Sequence, residues 1–69
     1  MLRIKSKYER DLNGKRQVLR ISENAKGLRG TLMEGGKRIG SAIFQGKEAT
    51  DFRVLEYFNF SLSTAKKIL

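Results

Sequence analysis

The dipeptide Asn13-Gly14 constrains this chain more than any other feature, because it separates two stretches in which apolar and polar residues alternate. A type I′ turn needs positive φ at both central residues, and Asn-Gly supplies that most readily. With Asn13 and Gly14 as the loop, Leu12 faces Lys15, Asp11 faces Arg16, Tyr8 faces Leu19 and Ser6 faces Ile21. Leu2, Ile4, Ser6 and Tyr8 then share one face with Leu19 and Ile21, while Asp11 and Arg16 form an opposite-charge pair on the other. A slip of one residue would lose both relations, since strand side chains alternate between faces.

The stretch "RGTLMEGGKRIGSAIF", residues 29–44, repeats the pattern around Gly35-Gly36. On a two-residue turn there, Glu34 faces Lys37, Leu32 faces Ile39, Gly30 faces Ser41 and Leu28 faces Ile43. Arg29, Thr31, Met33, Arg38, Ala42 and Phe44 fall on the opposite face. Gly30 and Gly40, inside strands, mark bulges or close packing by another element. The polar link "SENAKG", residues 22–27, joins the hairpins into a four-stranded antiparallel meander.

After "QGKEAT", residues 45–50, the period changes. Leu55, Phe58, Leu62, Ala65 and Leu69 are three and four apart, with Val54 and Ile68 beside them, which is the stripe of a helix. Thr50 or Asp51 would cap its start, and Lys66 and Lys67 would suit its C-terminal end. "DFRVLEYFNF" also fits a fifth strand through Phe52, Val54, Phe58 and Phe60, with Ser61 or Ser63 capping a short last helix. The helix is preferred because a half-buried sheet needs a cover and no other segment supplies one. The expected fold is α+β: two hairpins turning at Asn13-Gly14 and Gly35-Gly36, packed by one C-terminal α-helix.

Residues 1–69 are expected to form a single small basic domain, of modest stability because a chain this short buries only about 60% of its unfolded surface. Cysteine and histidine are absent, which excludes a disulfide framework, a thiolate nucleophile, a Cys/His zinc site and a histidine base. The carboxylates Glu9, Asp11, Glu23, Glu34, Glu48, Asp51 and Glu56 are scattered without paired spacing. No enzyme, metal site or cofactor is therefore expected. No apolar run approaches the roughly 18 residues of a membrane span, and a soluble, cytoplasmic protein is expected.

Fifteen Lys and Arg against seven Asp and Glu give a net charge of +8, which points to a polyanion or an acidic partner. Sorted by face, Arg3, Lys5, Lys7, Arg16, Arg20, Arg29 and Arg38 lie away from the core, opposed there only by Glu9 and Asp11. With Lys37 at the second turn they form a candidate nucleic-acid surface, for DNA ahead of RNA, with Arg29 and Arg38 assigned to base edges. Gly35-Gly36-Lys37-Arg38 lacks the residues that follow glycines in a phosphate loop, so hairpin geometry accounts for its glycines. Phe44 on the basic face, and Phe52 and Phe60 on the far side of the helix, are left without a core to enter. They are candidates for a partner contact: a small regulatory or inhibitory protein, of the sort phages and mobile elements encode, docking on an acidic or nucleic-acid-processing protein. An unpaired sheet edge also allows a homodimer.

The order "TLMEGGKRIGSAIF" then "GKEATDFRVLEYF", strand, glycine turn, strand, helix, resembles in architecture the sheet-type DNA-binding domains of some tyrosine integrases and of AP2 domains. The resemblance implies a basic sheet face opposite a packed helix, and it carries no residue assignments.

Overall fold

Both turns form as their dipeptides require: φ is +54° at Asn13 and +81° at Gly14, then +58° at Gly35 and +82° at Gly36. The computed structural model describes residues 3–61 and 63–69, so Leu2 and Leu62, assigned above to the core face and the helical stripe, lie outside the described residues. Four long strands follow one another, β1 (Arg3–Leu12), β2 (Lys15–Asn24), β3 (Gly27–Glu34) and β4 (Lys37–Gln45). A 3-10 turn at Gly46–Glu48, helix α1 (Asp51–Tyr57) and a short strand β5 (Lys66–Lys67) complete the chain. The fold is α+β, one antiparallel sheet in the order β4-β3-β2-β1-β5 with α1 against one face, here called the inner face.

The first hairpin keeps its expected register from Leu12↔Lys15 to Ser6↔Ile21 and then changes it. A bulge at Lys5 pairs Ile4 with Ser22 and Arg3 with Glu23. Ile4, expected in the core, is consequently exposed, and Arg3 moves from the outer face to the parity of Leu28.

The second hairpin departs further. A bulge at Ile39 pairs Leu32 with Gly40, Gly30 with Ala42 and Leu28 with Phe44, one residue off the expected register. Every side chain beyond the bulge changes face. Ile39 and Ile43, expected to be buried, are exposed, while Phe44, expected on the basic face, enters the core at 8% exposure. The physical reason lies in what α1 packs against. On the bulged register the inner face of β4 presents Gly40, Ala42 and Phe44, and the ring of Phe58 fits over Gly40. The unbulged register would bury the Ser41 hydroxyl and set Ile39 and Ile43 where Phe58 and Tyr57 now pack, losing a buried aromatic.

Helix α1 begins as expected: Thr50 is its N-cap and accepts from the Arg53 backbone N–H at 3.3 Å. It stops at Tyr57, far short of the expected stripe to Leu69, because the chain turns left-handed at Asn59, φ +58°. The Phe60 N–H donates to the Leu55 carbonyl at 2.8 Å and the Asn59 N–H to that of Glu56 at 3.2 Å, the two bonds of a Schellman cap. Phe60 and Leu55 both join the core, as the apolar contact of such a cap favours. The strand alternative for residues 51–60 does not form either. Instead Lys66 and Lys67, expected at a helix end, pair with Glu9 and Tyr8 and cover part of the β1 edge.

The core consists of Tyr8, Leu19, Ile21, Leu28, Leu32 and Phe44 from the sheet and Val54, Leu55 and Phe60 from the cover. At Gly30 the helix cover leaves no room for a side chain, since a methyl built on it would stand 2.5 Å from Val54 Cγ1.

Candidate nucleic-acid interface

Three of the cations assigned to the outer face are tied up in the fold. Lys5 Nζ lies 2.6 Å from Asp51 Oδ1 at the start of α1, and Ser6 Oγ and Tyr8 Oη donate to Asp51 Oδ2 at 2.9 and 3.2 Å. Burial alone would raise the Asp51 carboxyl, but the donors Lys5, Ser6 and Tyr8 outweigh it and hold the group below its ordinary value. The Tyr8 phenol is pushed up, first by burial and then by the Asp51 charge and hydrogen bond. Lys5 is therefore a latch between sheet and helix. Arg3 pairs with Glu23 at 2.6 Å, and Arg16 donates to Glu9 at 2.6 Å.

The outer face retains the other assigned strand cations. Lys7 stands directly opposite Arg20, Arg20 opposite Thr31 and Thr31 opposite Ser41, so one row crosses all four long strands. Arg29 lies between Ser22 and Ile43 in the next row, and Arg38 is opposite Met33, itself opposite Val18. Among the described residues Lys7, Arg20, Arg29 and Arg38 form no ion pair; the Arg20 guanidinium reaches only Met33 Sδ, at 3.9 Å. Like charges placed directly opposite on a sheet are destabilising. The Lys7–Arg20 pair is thus not explained by folding. Lys37 sits beside the second turn, facing Glu34, which accepts from Gln17 Nε2 at 3.0 Å.

The aromatics divide differently from their assignment. Phe44 and Phe60 are core residues, at 8% and 5% exposure, and the Arg10 guanidinium covers the Phe60 ring at 4.1 Å. Neither is free to anchor a partner. Phe52 remains exposed at 65%, and Tyr57, not among the residues assigned to a partner, joins it at 62% while its ring meets Phe44 edge-on at 5.6 Å. Arg10, which shares the parity of Tyr8, is on the inner face and is not one of the cations assigned to the outer face. There Arg10, Gln17 and Glu34 form a hydrogen-bonded row that closes the core near the turns.

Comparison with protein-family models, curated proteins and solved structures finds no match. No helix among the described residues is long and apolar enough to cross a membrane.

Proposed function

We propose that this chain is a non-enzymatic nucleic-acid-binding module, for DNA ahead of RNA, that uses the outer face of its sheet. The observation that carries the reading is the unpaired set Lys7, Arg20, Arg29 and Arg38 on one face, including two cations directly opposite each other. Such a face is stabilised when phosphates arrive and condensed counterions leave. The domain's net charge of +8 adds long-range attraction to the same partner.

The test is fluorescence anisotropy with labelled DNA between about 50 and 200 mM salt, where each neutralised phosphate adds about 0.9 to the log–log slope. Replacing Lys7, Arg20, Arg29 and Arg38 together by Gln should leave the domain folded by circular dichroism and remove most of that slope. A slope unchanged by the four substitutions rejects this face as the interface.

A second reading draws on Phe52 and Tyr57, whose exposure on α1 suits a protein contact on the side away from the basic face. In that case the chain is a small regulatory or inhibitory protein docking on an acidic or nucleic-acid-processing partner. It would then bind DNA weakly at any salt. Phe52→Ala with Tyr57→Ala would abolish partner binding while the fold persists.

A further inference from the structure

We infer that the outer face takes a DNA duplex and straddles one of its grooves, in preference to a single strand; this rests on the nucleic-acid reading above. Two observations carry it. None of the chain's six aromatic residues stands on the outer face: Tyr8, Phe44 and Phe60 are in the core, Phe58 packs against it, and Phe52 and Tyr57 are on α1. Single strands are held by stacking unpaired bases on aromatic rings, and this face offers none.

The second observation is where the unpaired cations sit. Lys7 is on β1 and Arg38 on β4, at opposite flanks of the four-stranded meander, while Arg20 and Arg29 occupy the two strands between them. Three inter-strand spacings of about 4.8 Å put the flanking strands about 14 Å apart. That is close to the major-groove width of about 12 Å, within the reach of long side chains on either side. One phosphate row bounds each side of a groove, so a duplex satisfies both flanks at once. A single backbone satisfies one. Arg20, Arg29 and Thr31 then stand over the groove floor, where arginine reads guanine edges and threonine either base. Of the two arginines first assigned to base edges, Arg29 keeps that place and Arg38 takes a phosphate.

The experiment compares a labelled DNA duplex of two separate strands, one of those strands alone, and a double-stranded RNA of equal length, each titrated with the full chain and with Lys7→Gln, Arg38→Gln and the double variant. The duplex DNA is expected to bind tightest, with each flank substitution lowering its salt slope by about 1 and the double variant by about 2. Single-stranded DNA binding as tightly as the duplex overturns the inference and leaves the nucleic-acid reading standing. Tighter binding to double-stranded RNA does the same, as does a slope that responds to only one flank. No binding to any probe at about 50 mM salt overturns both.

Discussion

Gly30→Ala probes the contact on which the helix cover depends. The added methyl would stand 2.5 Å from Val54 Cγ1 and 3.0 Å from the Phe58 ring, both too close for carbon atoms. Val54 is fully buried, so it has no open side toward which to retreat. Overpacking of this kind costs about 1–3 kcal/mol. Replacing glycine by alanine also restricts the unfolded chain, which offsets about 0.4–1 kcal/mol. A net loss of about 1–2 kcal/mol follows, and at about 4–8 °C per kcal/mol for a domain of this size the melting midpoint should fall by about 5–15 °C. Thermal and urea unfolding followed by circular dichroism measure it. A double-mutant cycle with Val54→Ala makes the cause specific. Alone, Val54→Ala should lose about 2 kcal/mol or more through transfer and cavity terms. With both substitutions the new methyl enters the space vacated by Cγ1, and the combined loss should fall short of the sum by at least about 0.5 kcal/mol. A stable Gly30→Ala protein, or simple additivity, would refute this packing of α1 on β3.

Phe44→Ala should destabilise by about 3–5 kcal/mol while Ile43→Ala stays within about 0.5 kcal/mol, and urea unfolding that gave the opposite order would remove the bulge at Ile39. The ionised Asp51 carboxyl, held below its ordinary value, contributes stability that is fully present above about pH 4 and is lost as pH falls through the lowered folded value. Urea midpoints measured from about pH 6 to 2 should therefore fall less steeply for Asp51→Asn than for the parent, and parallel profiles would contradict the latch. Asn59→Gly should be neutral or slightly stabilising, and Asn59→Val clearly destabilising by about 1 kcal/mol or more, because the left-handed position after α1 excludes branched side chains. Equal midpoints for the two variants would argue against the cap.

Placing the site and placing the core are one problem in this protein, since the face a strand residue occupies decides whether it binds or packs. The two bulges explain the misplacement of Arg3, Ile4 and Phe44 and the exposure of Ile39 and Ile43. Lys7, Arg16, Arg20 and Arg38 kept their expected face because they lie between a turn and its bulge, and Arg29 kept its face because the extra residue is in β4 and leaves the alternation of β3 unbroken. A signal for the second bulge was present in Gly40, which is small enough for Phe58 to cover, and one for the helix end in Asn59, a residue that tolerates positive φ. Neither signal has meaning until the packing partner is known.

What the sequence determined by itself was local: two hairpins closed by Asn13-Gly14 and Gly35-Gly36, the faces of the strand residues next to those turns, and a helix start at Thr50 or Asp51. Those features follow from backbone sterics and short-range register, which neighbouring residues suffice to specify. Only the tertiary structure decided that β4 slips by one residue, that Lys5 serves the helix instead of the outer face, and that the chain beyond Asn59 returns as β5 beside β1. Each of those outcomes depends on contacts between residues far apart in the chain, where burying Phe44 or satisfying Asp51 outweighs local preference.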